Sequence, residues 1–483
     1  LQSDAPSTFR RDLISAYIAS GAKVASWAIV AALIYRYRDA TALAVFMLAR
    51  SVFGLLQYLF LNIGPAMVRV AAVPATSIAK DSGDVPPATS AIHATPVLDY
   101  ARPMRGELRS DLLAITYRTA LWVVGFPAAI GAVLLVLYAS SFERVHGRFA
   151  LADDAFAFVL LMGFGFLARW ISEPAGAVLQ VRGRLALDNL FVAAADIAWV
   201  PVTLLAYHWG GYIRHGIGTV GWGFCLVSMG LLLARHIAVR LVFGGSLPGR
   251  NVADLAMARR LIAYGSGITL GQLADFLYAP FIILLLGWMN QEDWIAAYTP
   301  AIQIDAAMLL LVSGLAAVML PNAALADARS NHERLRMLYV RGTLASAAVL
   351  GAAAAVVWAC RGWLLELWFG DPMRTTQYIL PFVLVHTVIG GSAAVGRSIL
   401  IGMGKVRAQA AAALVGGVGN VTLALIFVYL LDLGLIGLIL ATVVAVTARC
   451  AIWQPWYVLR TLRRRGEIQL DASALLPPPV ETR

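Results

Sequence analysis

Ile399-Leu400-Ile401-Gly402-Met403-Gly404-Lys405-Val406-Arg407 reads as the end of an apolar helix, a glycine stop and a cationic turn. A long apolar run follows, then Asp432 and the turn Gly434-Leu435-Ile436-Gly437, then a second run that ends at Arg460. The chain carries an earlier version of the same passage. Val178-Leu179-Gln180-Val181-Arg182-Gly183-Arg184 has the same apolar character, with Gly183 in step with Gly404 and Arg184 with Lys405, and Gly218-Thr219-Val220-Gly221 stands where the later Gly-x-x-Gly turn does. Self-similarity over such a distance marks a duplicated unit.

The unit is membrane-embedded. A chain of 483 residues that is 60% hydrophobic and 13% charged, with a mean hydropathy of +0.75, has more apolar surface than a water-soluble core can hide. Runs of about 20 apolar residues recur along it, each long enough to cross a hydrocarbon core as a helix, and helices satisfy their own backbone hydrogen bonds there. The expected fold is therefore an all-α polytopic membrane protein of about 12 transmembrane helices in two pseudo-twofold-related six-helix lobes. The spans are placed at 12–35, 41–68, 111–138, 154–180, 185–207 and 218–243, and again at 261–288, 294–320, 335–360, 376–402, 406–431 and 434–457. The first lobe covers 1–243, with a Pro-, Ser- and Ala-rich loop at 73–109 expected to be flexible and cytoplasmic. A linker at 244–257 leads to the second lobe at 258–460, and a cytoplasmic tail follows at 461–483.

Charge sets the orientation. The net charge of +11 raises the possibility of a nucleic-acid partner, but the cations sit in short loops, so no such partner is expected. Arg10 and Arg11, Arg182 and Arg184, Lys405 and Arg407, and Arg460 and Arg463 crowd one set of span ends, which places both termini on the cytoplasmic side. The N-terminal residues have no signal-peptide pattern, so the first span is expected to insert as it stands. Cys225, Cys360 and Cys450 lack metal-ligand spacing and read as packing residues. No Walker, nucleophile-elbow or zinc spacing occurs, so no catalytic residue, resident metal or cofactor is expected and the chain does not read as an enzyme.

With the helix–Gly-x-Gly-cation–helix–Gly-x-x-Gly–helix arrangement of 399–460, its echo at 178–243 and the six-plus-six plan, the chain resembles the multidrug/oligosaccharidyl-lipid/polysaccharide (MOP) superfamily, and within it the Wzx-type polysaccharide flippases. The resemblance implies two lobes that alternate between inward and outward openings in the bacterial inner membrane. It also implies transfer of undecaprenyl-diphosphate-linked oligosaccharide to the periplasmic leaflet, with a polysaccharide polymerase and export machinery as further partners. A multidrug/cation antiporter of the MATE type and a peptidoglycan lipid-precursor flippase are the alternatives.

Ionisable groups placed within spans are costly and mark pathways or partners. The first half carries Lys23, Arg50, Arg118 and Arg169, with Glu173 four residues after Arg169. A diphosphate head needs fixed positive charge, so Lys23 and Arg50, with Arg169 as a further candidate, are expected to line a cationic cavity. Against this, Arg169 and Glu173 share a helix face and can neutralise each other, Arg118 can snorkel, and Asp196 can pair with a cation. In the second half, Asp275 and Asp305 lie near mid-span with Gln272 and Gln303 close by. They are candidates for Na⁺ or H⁺ coupling, or else structural carboxyls paired with Arg397 or Arg449. Gly265, Gly267 and Gly271 make the seventh span either bendable or closely packed. Tryptophans at span ends, among them Trp288, Trp363, Trp368 and Trp456, read as interfacial anchors.

Overall fold

The two glycine turns of the duplicated passage close in the same way. Gly183 and Gly404 have φ of +72° and +73°. Arg184 N–H donates to Leu179 O (2.8 Å) and Gly183 N–H to Gln180 O (3.0 Å), and Lys405 and Gly404 repeat both bonds to Leu400 O (2.8 Å) and Ile401 O (3.0 Å). This is the left-handed helix stop that glycine adopts without a Cβ penalty, and the cation after it faces the negative end of the helix.

The computed structural model describes residues 5–72, 106–146, 155–209, 216–245, 253–328 and 331–463. Of the expected loop at 73–109, residues 73–105 lie outside the described residues, as do 246–252 of the linker and the tail beyond Arg463. Every regular element among the described residues is helical. The first half contains α1 (Ala5–Tyr37), α2 (Ala40–Leu56), α3 (Ile63–Ala72), α4 (Gly106–His146), α5 (Ala155–Val181), α6 (Leu185–Trp209) and α7 (Gly218–Val242). The second contains α8 (Leu255–Phe276), α9 (Ala279–Trp288), α10 (Glu292–Ala328), α11 (His332–Phe369), α12 (Arg374–Ser392), α13 (Ala394–Gly402), α14 (Val406–Leu425) and α15 (Gly434–Val446), which continues through a π turn at Thr447–Trp453.

Eleven of the expected crossings are long and apolar enough to span a membrane among the described residues. The chain is a multi-pass membrane protein. Several apolar side chains are almost bare, including Trp288 at 78% and Phe126 at 73% exposure, and such surface belongs against lipid. The remaining crossing, expected at 261–288, is interrupted. Pro280 in the first turn of α9 has no N–H to donate to Phe276 O, so the ladder stops at α8 and restarts after Tyr278. The second crossing is broken as well: Leu61 and Asn62 take φ of 50° and 47° between a 3₁₀ turn and α3, and Pro65 lacks the N–H that would return to Leu61 O.

The described chain forms two compact units whose dividing lines fall inside α10, α11 and α12. The larger holds the described residues up to Ala307 together with Cys360–Leu380. In it the broken crossings run side by side. Tyr58 OH donates to Gln272 O (3.1 Å), and Asn62 Nδ2 to Thr269 Oγ1 (3.0 Å). A Cβ on Gly265 would collide with Leu61 O, so this glycine serves close backbone approach. Trp368 Nε1 donates to Ala28 O (3.0 Å), so this tryptophan does more than anchor at an interface. The other unit holds Met308–Ala359 and Pro381 onward. Around the Gly404 turn it buries Leu335, Val395, Ile399, Leu400, Met403 and Val458, and Gln454 Nε2 donates to Ala393 O (2.7 Å) beside the bare Cα of Gly396.

Candidate functional site

Lys23 and Trp27 lie one turn apart on α1, and α2 brings Arg50 onto the indole. The Arg50 guanidinium carbon is 4.3 Å from the ring centroid. Trp27 is fixed by Phe46, Phe166, Trp199 and Phe224, with centroids 5.3, 6.1, 5.0 and 5.9 Å away. Lys23 is exposed, yet it lies in the fields of Asp196, Arg169, Arg50 and Glu173, which come from three other helices. An accessible side chain in the field of four ionised groups faces a charged environment, whereas a lipid-facing one would have hydrocarbon for company.

Arg169 is differently placed. Its Nη1 lies 2.6 Å from Asp196 Oδ1, its Nε donates to Ser228 Oγ (3.0 Å), and its guanidinium sits 4.7 Å from the Phe224 ring centroid. Asp196 is fully buried. The acid that neutralises Arg169 is thus Asp196 on α6, and the bond joins α5, α6 and α7. Glu173 instead accepts from the Gly64 N–H at the start of α3, where the helix dipole favours a carboxylate. Lys23 and Arg50 make no ion pair among the described residues. The cluster therefore gathers three cations and two carboxylates, and one cation is consumed by Asp196.

A second buried pair lies toward the Gly183 end of the same helices. Arg235 Nε is 2.8 Å from Asp188 Oδ1, Gln180 Nε2 donates to Asp188 Oδ2 (3.0 Å), and Arg235 Nη1 donates to Ser172 Oγ (2.9 Å). Gly176 makes the room: a Cβ there would stand 2.9 Å from Asp188 Oδ1. The sequence reading missed this group, although a cation within α7 opposite an acid in the first turn of α6 was the available signal.

Asp275 is exposed in the last turn of α8, just before the break, in electrostatic reach of Tyr58. It makes no ion pair among the described residues. Asp305 is half-buried on α10 near Tyr298, and Gln303 is buried with its Nε2 unpartnered. The structure does not collect these acids into a metal cage: among the described residues no three His, Cys, Asp or Glu side chains are placed to hold a metal ion.

Comparison with known proteins covers the whole chain by fold. An inward-facing multidrug resistance MATE family transporter of the MOP superfamily aligns over 94% of this chain and 96% of its own, with a TM-score of 0.64 at 15% identity. The lipid II flippase MurJ in its inward closed conformation aligns over 95% and 88%, also with a TM-score of 0.64, at 14% identity. The chain shares the fold of these transporters. Residues 219–376, from α7 to the start of α12, match the family model described as "Polysaccharide biosynthesis protein". No curated protein matches the sequence. The structural neighbours are transporters and a flippase, and the matched family model is one of polysaccharide biosynthesis.

Proposed function

We propose that this protein is a flippase of the MOP superfamily that moves undecaprenyl-diphosphate-linked oligosaccharide from the cytoplasmic to the periplasmic leaflet of the bacterial inner membrane, for surface polysaccharide assembly. The observation that carries the reading is the Lys23–Arg50 pair, two cations on neighbouring helices with no carboxylate bonded to either among the described residues. Such a pair is costly in a membrane and is compensated when a diphosphate enters. The polyprenyl tail stays in lipid while the head crosses past Lys23 and Arg50. Both termini face the cytoplasm, in keeping with the cationic ends at Arg184 and Lys405. An organic-cation antiporter calls for the opposite balance of charge. A peptidoglycan-precursor flippase shares the diphosphate chemistry, and the polysaccharide match of 219–376 favours the oligosaccharide. Polymerase and export proteins are the expected partners.

Deleting the gene and restoring it with Lys23→Ala or Arg50→Ala at matched expression tests the assignment. The wild-type gene restores surface polysaccharide and the variants do not. Full restoration by both variants removes the assignment. We also propose that Asp275, with Asp305, binds the coupling Na⁺ or H⁺, beside a broken crossing of the kind that binds ions in other transporters. Transport that ignores imposed gradients of both ions removes that part alone.

A further inference from the structure

We infer that Trp27 is the positioning residue of the diphosphate site, holding Arg50 by its ring face so that the guanidinium stays charged with its donors free. The inference rests on the proposed function and adds a residue to it. A guanidinium brought inside a membrane protein needs compensation, which a carboxylate gives at the expense of the donor edge. Arg169 shows that outcome, with Nη1 taken by Asp196 and Nε by Ser228. Arg50 has no such partner among the described residues, and the ring 4.3 Å below it takes the place of the counter-ion. An aromatic face meets a stacked guanidinium from one side and leaves its in-plane N–H groups for an anion.

Three further features fit this role. Trp27 is 3% exposed and wedged among Phe46, Phe166, Trp199 and Phe224, so its face is a fixed platform. Lys23 precedes it by one turn on α1, so the same residue that seats Arg50 also sets it beside Lys23. The Trp27 indole N–H and Arg50 Nη1 are both buried without a hydrogen-bond partner among the described residues. Both are donors, and what they lack is an acceptor.

The test uses the full chain in nanodiscs with undecaprenyl diphosphate, without sugar, as the binding probe. Trp27→Leu is expected to weaken binding about tenfold and Trp27→Phe by about threefold, following the strength of the ring face. Trp27→Leu combined with Arg50→Ala should bind no more weakly than Arg50→Ala alone, because the two changes remove one interaction. Should Trp27→Leu fail to fold, the order Trp, Tyr, Phe at position 27 reads the same dependence. Wild-type affinity in Trp27→Leu, or in Trp27→Phe and Trp27→Tyr alike, alongside a loss in Arg50→Ala overturns the role of Trp27 and leaves the flippase reading standing. Wild-type affinity in Lys23→Ala and Arg50→Ala as well overturns both.

Discussion

Removing the carboxylate of Asp196 should unfold the first six spans far more readily than removing Lys23 or Arg50. Asp196 is fully buried and stands 2.6 Å from an Arg169 whose side chain is 14% exposed. Breaking such a pair from one side leaves a buried charge uncompensated, at about 3–5 kcal/mol. Asp196→Ala is expected to fall in that range. Asp196→Asn keeps an acceptor for Arg169 but loses the charge, so its cost is smaller, about 2–3 kcal/mol. Arg169→Met in the Asp196→Ala background removes the stranded cation and should recover part of the loss, with a coupling energy of about 1–3 kcal/mol. Reversible unfolding in mixed micelles measures these differences. Where unfolding is irreversible, the unfolding rates at one temperature stand in for it. If Asp196→Ala lies within about 0.5 kcal/mol of wild type, the buried pair is not holding α5, α6 and α7 together and the division of the cations is mistaken.

Other substitutions probe the rest of the account. Lys23→Gln and Arg50→Gln should each change unfolding by no more than about 1 kcal/mol, because neither cation holds an ion pair among the described residues and Arg50 gives up only its contact with the Trp27 ring, while polysaccharide export is lost; marked destabilisation by either would make these residues structural. Gly183→Ala and Gly404→Ala each force an alanine to φ above +70° and should cost about 1–2 kcal/mol in the same unfolding experiment, and an effect near zero at both would show that the turns relax. Gly265→Val drives a side chain into Leu61 O, so disulfide formation between Asn62→Cys and Thr269→Cys should slow markedly; an unchanged rate would contradict the close approach of the two broken crossings.

Much of the fold could be read from the chain because its signals are local. A run of apolar residues needs only its own length to be recognised, and the turns at Gly183 and Gly404 announce themselves by a glycine followed by a cation. The interruption at Leu277–Tyr278 was less legible: Pro280 is its signal, but proline occurs inside α4, α5, α6 and α12 as well, where the helix continues through it. Partner choice was the least legible. Arg169 and Glu173 have the spacing of a helical ion pair, yet Asp196 and the start of α3 take them apart. Arg235 and Asp188 are 47 residues apart, and nothing local joins them. Those choices are made by tertiary packing, which spacing along one helix does not encode.

The central claim is that a diphosphate-linked head crosses past Lys23 and Arg50. Its most direct measurement reconstitutes the full chain in proteoliposomes with undecaprenyl-diphosphate-linked oligosaccharide and follows the accessibility of the sugar to an external glycosidase. Wild-type protein is expected to expose the inner-leaflet sugar, and Lys23→Ala with Arg50→Ala to slow this at least about tenfold, the loss of roughly one charge-assisted contact. Wild-type protein that leaves the sugar protected under every imposed gradient, while the same vesicles export an organic cation, would contradict it.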